Sequence, residues 1–505
     1  MSDFDFAGLF VCDLANNHQG SVDHALEIIG QVGRVAAANQ ARTAFKFQFR
    51  ELDTFVHPQH RQGSDNKHIP RFLGTRLSDA DFARLTQAVR AAGMVTMATP
   101  FDEASVDQLD QLGIEVVKVA SCSATDWPLL EKIATFSRPV IASTGGLTLD
   151  QIDDLVSFFD HRRVHFALMH CVSIYPTPLA QLELNQVALL QRRHPGRAIG
   201  FSTHEAPENL MPVAIAVAKG AQMLERHVGL PTAAQPLNAY SSTPEQVDRW
   251  MQAASLARQA CGHATRKPAA AIELEALRSL QRGIFVNREV QAGETLLRED
   301  VYFAMPCGPA QLVSGHWRAG IRATVALAKD APLGQSTVAL PPTPEKAVLF
   351  QTIHVIKAML NEARITMPTD FRLEFSHHHG IARFCEVGAT IIDCINRTYC
   401  KKLIIQLPGQ HHPNHYHKSK EEAFQVLSGV LQVTIEGRER TLLAGDILVV
   451  PQGVWHAFGT ATGVIFEEIS TTHHNNDSFY EDKQINQTPR ERRKTVVSHW
   501  GRYQI

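Results

Sequence analysis

Residues 9–49, LFVCDLANNHQGSVDHALEIIGQVGRVAAANQARTAFKFQF, hold a complete strand–helix–strand pattern. The runs LFVCDLA (9–15) and TAFKFQF (43–49) have strand length, and DHALEIIGQVGRVAAA (23–38) between them repeats its apolar residues with a helical period. The alternation continues through MVTMATP (94–100), VVKVAS (116–121), RPVIAST (138–144), VHFALMHCV (164–172), AIGFSTH (198–204) and MLERHV (223–228). Eight β/α units in residues 1–265 is the arithmetic of a closed parallel (β/α)8 barrel. A doubly wound open sheet is the alternative, but no GxGxxG turn follows the first run.

The polar residues lie at the C-terminal ends of these runs. They include Asp13, Asn16, Asn17 and His18; Lys46 and Gln48; Thr99 and Asp102; Lys118 and Ser121; Ser143 and Thr144; Tyr175; Ser202 and His204; and Glu225 and His227. One such residue is an ordinary polar group meeting water. Eight consecutive runs ending this way point to a shared site, because a barrel brings all these ends to one face. Two lysines with several hydroxyls suit a small ligand carrying phosphate and carboxylate. His204 and His227 can present neutral imidazoles to a divalent metal, and Asp13 and Glu225 are the available acid/base carboxylates.

Composition limits the partners. A net charge of −2 offers no general attraction to nucleic acid or to an anionic membrane surface. No window approaches the roughly 20 apolar residues of a membrane span, and the first residues, MSDFDFAGLF, are acidic where a secretory signal is basic. Eight scattered cysteines without a CxxC pair read as reduced thiols, so a cytoplasmic location is expected.

The stretches NNHQGS, FKFQ, ATPFDEASVDQL, KVASCSATDWPLL, ASTGG, HCVSIYPTP, GFSTHE and LERHV resemble the sialic acid synthase family along nearly the whole barrel. The resemblance implies condensation of phosphoenolpyruvate with an amino-sugar aldehyde, releasing phosphate and forming a nonulosonic acid. It implies His204 and His227 as ligands of Mn or Mg, and Lys46, Gln48, Thr99, Lys118, Ser121, Ser143 and Ser202 as the phosphoenolpyruvate cradle. It places Asn17 and Tyr175 at the sugar and makes Glu225 the active-site glutamate. Three positions depart from the family. Asp13 stands for a glutamate, Ser123 for a sugar-contacting glutamate, and QPLNAYS (235–241) offers Asn238 where the family has an aspartate. The pyruvyl half is kept and the sugar half altered, so the expected acceptor is an amino-sugar or related aldose other than plain N-acetylmannosamine.

Residues 266–278 read as a linking helix, and 282–315 resemble the antifreeze-like domain that follows the barrel in this family. That likeness implies a homodimer in which this domain crosses to the partner and Arg282 meets the sugar. From residue 346 the pattern becomes strands of alternating polarity joined by glycine turns, as in a jelly roll. GQHHPNHYHKSKEEAFQVLSG (409–429) and GDILVVPQGVWHAFGT (445–460) resemble the two cupin motifs. Alternate strand residues share a face, so His415 and His417 point inward together, with Glu422 opening the next strand and His456 arriving from another hairpin. Three imidazoles and a carboxylate suit a second divalent metal: Mn, Fe, Ni or Zn. His411 and His412 are expected in a loop, and the tail from residue 472 is expected to add no chemistry. A loose likeness of 374–407 to cupin sugar isomerases leaves two alternatives beside a plain synthase. The cupin is an isomerase or epimerase supplying the acceptor, or it is a sugar-binding or regulatory module. The expected division is 1–265 synthase barrel, 266–345 linker and antifreeze-like domain, and 346–505 cupin with its tail.

Overall fold

The computed structural model describes residues 4–233, 236–264, 266–368, 370–497 and 500. Gln235 of the QPLNAYS stretch, the expected boundary at 265 and the last five residues of the tail lie outside the described residues. The chain forms two compact units, Met1–Pro268 and Ala269–Ile505.

In the first unit, eight strands close into a barrel: β1 (Phe10–Asp13), β2 (Thr43–Phe49), β3 (Val95–Pro100), β4 (Val116–Val119), β5 (Val140–Ser143), β6 (Phe166–Cys171), β7 (Ile199–Thr203) and β8 (Met223–His227). Each pairs in parallel with the next, and β8 returns to β1. The intervening helices cover the outside. Helix Val22–Ala38 is capped by Ser21 and buries Ala25, Ile28, Ile29, Val32 and Ala36, one face at helical spacing.

The two-residue strand period builds the interior in layers. Val11, Ala44, Met97, Val116, Ile141, Met169 and Met223 belong to one buried apolar cluster. Two residues further along the same strands lie Asp13, Lys46, Thr99, Lys118, Ser143, Cys171 and Glu225. The same inner face is therefore apolar below and polar at the C-terminal mouth. Gly200 allows the lower layer to close, since a Cβ there would lie 2.9 Å from both Met169 Cε and the Met223 carbonyl oxygen.

The second unit begins with helix Ala271–Leu280. Strands β9 (Gly283–Val286) and β10 (Val301–Ala304) pair antiparallel, as do β11 (Arg322–Ala323) and β12 (Val338–Ala339), around a core that includes Ile284, Leu296, Leu312 and Leu333. After helix Glu345–Glu362 an eleven-stranded, curled antiparallel sheet follows. Its strands are β13 (Arg372–Ser376), β14 (Ala389–Asn396), β15 (Tyr399–Gln406), β16 (His411–Tyr416), β17 (Glu422–Ile435), β18 (Arg438–Leu443), β19 (Ile447–Val450), β20 (His456–Gly459), β21 (Val464–Thr471), β22 (Phe479–Tyr480) and β23 (Lys494–Val497). This is the expected cupin sheet. Among the described residues no helix is long and apolar enough to cross a membrane.

Candidate active site and candidate metal centre

At the barrel mouth Lys46 is the hub. Its Nζ lies 3.0 Å from both Asp13 Oδ2 and Glu225 Oε1. Glu225 also accepts from Ser202 Oγ at 3.0 Å and stands 3.5 Å from Lys118 Nζ. Lys118 donates to Ser143 Oγ at 2.5 Å, and Gln48 donates to Asp13 at 3.2 Å. Burial disfavours every one of these charges, so the outcome depends on pairing. It opposes the carboxylates, yet Lys46 holds Asp13 below the usual range, and Lys118 and Lys46 do the same for Glu225. Lys46 is likewise desolvated, but its two carboxylates outweigh the cost and raise its pKa. Lys118 differs. Burial lowers its pKa even with Glu225 beside it, which leaves it the less compensated cation. Thr99 is buried with its hydroxyl unpartnered, and Ser121 accepts from the Gly145 N–H at 3.0 Å.

The rings of His204 and His227 lie 5.2 Å apart. Burial pushes His204 down to about 3, and it lowers His227 although Asp13 Oδ2 is 3.4 Å away. Both imidazoles are neutral at ordinary pH. His204 Nδ1 is 3.2 Å from the Val172 carbonyl, which leaves its Nε2 available, and His227 Nδ1 is buried without a partner. Neutral rings with a free nitrogen fit a divalent metal. Tyr175 packs 4.4 Å from the His204 ring.

The other expected sugar residues fall into different settings. Asn17 donates to the Val228 carbonyl at 2.8 Å and to Ser241 at 3.0 Å, and Asn238 donates to Asn17 Oδ1 at 3.2 Å. These two amides join the loops after β1 and β8. Ser123 is buried in a short turn while Cys122 is exposed. Arg282 belongs to the second unit, exposed, with its guanidinium 5.9 Å from the Phe303 ring.

In the second unit His415, His417 and His456 form a buried group whose ligand atoms lie within 4.8 Å of one another. Register places His415 directly opposite His456. Each Nδ1 faces a backbone carbonyl: Pro413 at 3.0 Å, Asp477 at 2.5 Å and Val454 at 3.0 Å. An N–H donated there fixes the tautomer and leaves all three Nε2 atoms as lone-pair donors. Glu422 Oε1 is 3.3 Å from His417 Nε2, and its Oε2 is 3.1 Å from His456 Nε2. The donor set fits a transition metal or zinc.

The NeuB family profile matches residues 34–266, and the Cupin domain profile matches 403–467. A Chromobacterium violaceum protein of solved structure, provisionally named spore coat polysaccharide biosynthesis protein E, is 41% identical. The match covers 66% of this chain and 99% of that one, with a TM-score of 0.63. The chain belongs to the NeuB family. Further relatives are the N,N'-diacetyllegionaminic acid synthase of Legionella pneumophila, 26% identical over 59% of this chain and 85% of its own, and the N-acetylneuraminate-9-phosphate synthase of Mus musculus, 26% identical over 57% and 80%.

This NeuB-family chain also holds site residues that the sequence reading passed over. Tyr240, 5.3 Å from both Tyr175 and His227, completes an aromatic wall, and its position within QPLNAYS was the available signal. Arg50 sits between Phe72 and Phe101, 4.0 and 3.6 Å from their centroids, and donates to Gln48 at 3.3 Å. Burial lowers it to about 10. In the cupin two expectations are corrected. His411 and His412 lie in β16 rather than a loop, and His412 is buried with Nε2 3.0 Å from His378 Nε2. Pro413 obscured the strand, and the register does shift between His412 and His415. The tail is not inert either. Its Asp477 orients His417, Tyr480 stacks 5.4 Å from His415, and Arg490 and Lys494 pair with the buried Glu374.

Proposed function

We propose that the chain is a nonulosonic acid synthase, condensing phosphoenolpyruvate with an amino-sugar or related aldose and releasing phosphate. The observation that carries this is the mouth of the barrel, where Lys46 and Lys118 meet two ionised carboxylates beside two neutral imidazoles. Relatives named as legionaminic and sialic acid synthases support the reaction class.

In this reading Lys46, Lys118, Gln48, Thr99, Ser121, Ser143 and Ser202 hold the phosphate and carboxylate of phosphoenolpyruvate. Lys118 takes the larger gain, being the less compensated cation. His204 and His227 would hold a divalent ion, which would supply Lewis-acid polarisation of the aldehyde oxygen. Tyr175 and Tyr240 shape the sugar side, with Ser123, Asn17 and Asn238 lining the acceptor pocket. C3 of phosphoenolpyruvate bonds to the aldehyde carbon, whose oxygen is protonated. Water adds at C2, giving its proton to Asp13 or Glu225, and the C2–O bond to phosphate breaks. The same reading divides the chain at 1–265, 266–345 and 346–505 and carries a homodimer in which Arg282 reaches the partner's sugar. Incubation with phosphoenolpyruvate, Mn and a panel of aldoses tests the reaction; no acceptor-dependent phosphate release from any aldose would reject it.

A second reading, that the chain is bifunctional, is favoured by one observation. All three cupin histidines present Nε2 to a common point, as a metal-dependent sugar isomerase or epimerase requires. Conversion of a precursor sugar that disappears in the His415→Ala plus His417→Ala variant, with condensation of purified acceptor intact, tests it.

A further inference from the structure

The inner face of the cupin sheet carries a charged row. Register sets Arg372 opposite Asp393, Asp393 opposite Lys402, Lys402 opposite Glu468, and Glu468 opposite Phe424. Paired residues share a face. This is the metal-facing side, because Lys402 donates to Glu468 at 3.1 Å, Lys420 to Glu468 at 3.0 Å, and Lys420 also pairs with Glu422 beside His417 and His456. A cavity of about 150 Å3 opens against this row, lined by Arg372, Glu374, Asp393, Lys402, Arg490 and Lys494. At roughly 30 Å3 per water in the liquid, this is space for about five waters, enough to take a carboxylate or phosphate group.

The charges around it do not balance. Arg372, Lys402, Lys420, Arg490 and Lys494 outnumber Glu374, Asp393, Glu422 and Glu468 among the described residues. Burial also raises the Asp393 pKa, so this carboxylate is the least favoured of the four anions. Two groups register the resulting field. Burial lowers the Lys494 pKa in spite of Glu374, and Arg490 and Lys402 lower it further. Burial, then Lys402 and Lys420, push His473 down to about 3. Lys402 is almost fully buried and Lys494 mostly so, and a desolvated cation excess of this kind is stabilised by an anion.

We propose that this cavity is an anion subsite of the cupin, formed by Lys402, Lys494, Arg490 and Arg372, and that the cupin's ligand is a sugar carrying a carboxylate or phosphate. The anionic group sits in the cavity, and the ion-pair chain Lys402–Glu468–Lys420–Glu422 ties its position to the three-histidine group. The proposal rests on the cupin being a ligand-binding or catalytic module, as in the second reading above. It adds what that module takes.

The test is calorimetric titration of the full chain with D-glucuronate, D-glucose 6-phosphate and D-glucose, with metal content measured on each sample. Lys402→Met and Lys494→Met should each weaken the acidic sugars at least about ten-fold, the loss expected for one charge-assisted contact. Glu468 keeps Lys420 and Glu374 keeps Arg490 in these variants. Glu374→Gln removes a competing carboxylate and should tighten binding several-fold, a gain that damaged folding cannot produce. Heat common to the wild type and all variants belongs to the barrel. Preference for glucuronate assigns the subsite to carboxylate, and preference for the phosphate ester assigns it to phosphate. Glucose binding as well as either acid, or unchanged affinity in all three variants, would overturn the proposal. Metal-free wild type that still shows these shifts would reject the metal reading and leave the anion subsite standing.

Discussion

The barrel mouth and the cupin bowl both gather imidazoles, carboxylates and lysines, and they reach that result by opposite routes. The barrel draws its set from Asp13 to His227, one or two residues per strand, with most of the partners supplied by other strand ends. The cupin takes its ligand set from His415 to His456, then surrounds it with residues from distant segments, including Glu374, Asp477 and Lys494. The chemical balance also differs. The barrel offers two imidazoles beside two lysines, so an ion bound there would have few protein donors and many positions left for substrate. The cupin offers three oriented Nε2 atoms and a carboxylate, a donor set that could hold an ion without help from a ligand.

The largest effect should come from breaking the weaker-held centre. His204→Ala or His227→Ala should lower condensation roughly 1,000-fold, equivalent to about 4 kcal/mol of lost carbonyl polarisation. Steady-state phosphate release checks this, and turnover retained by the double variant in chelator would contradict it. Dialysis against a mild chelator should sharpen the contrast, with the barrel ion lost first and about one metal per chain kept by the cupin. Elemental analysis of the wild type and of the His415→Ala plus His417→Ala variant reads the difference.

Selectivity comes next. In the proposed reading Ser123 and Asn238 replace carboxylates that would grip sugar hydroxyls, and each missing charge-assisted contact is worth about 1.5–3 kcal/mol. N-acetylmannosamine should therefore have a kcat/KM about ten-fold or more below the best aldose of a panel.

A pH effect of similar or smaller size separates the barrel from the rest. Burial, aided by Arg71, lowers His18 from 6.5 to about 4. The unfolded chain therefore takes up this proton first. The stability it contributes is complete above pH 6.5, falls as pH drops through the interval, and is gone near pH 4. The loss is at most about 3 kcal/mol. His18→Gln should flatten the pH dependence of barrel unfolding across that window; an unchanged slope would contradict the assignment.

The smallest expected change is the most telling for the division of labour. His415→Ala plus His417→Ala should alter condensation of a purified acceptor less than about two-fold, the scale of surface changes, while removing the cupin metal.

What was legible in the sequence follows from the same contrast. Lys46, Lys118 and Glu225 could be read because a strand period and a barrel topology send strand ends to one face. His415, His417, Glu422 and His456 could be read because their spacing is local. Tyr240 and Arg50 reach the barrel mouth from loop and strand-exit backbone, where no period operates. His412 was obscured by Pro413 and a register shift. Arg490 and Lys494 belong to the tail expected to add no chemistry, and only their ion pairs with the buried Glu374 reveal their inward role.

The central claim is tested most directly by incubating the full chain with phosphoenolpyruvate, Mn and single aldoses, following phosphate and product mass together. The account predicts acceptor-dependent phosphate release and a product equal in mass to the aldose plus one pyruvic acid unit, abolished by His204→Ala. Phosphate release without that adduct, or no release with any amino-sugar or related aldose, would contradict it.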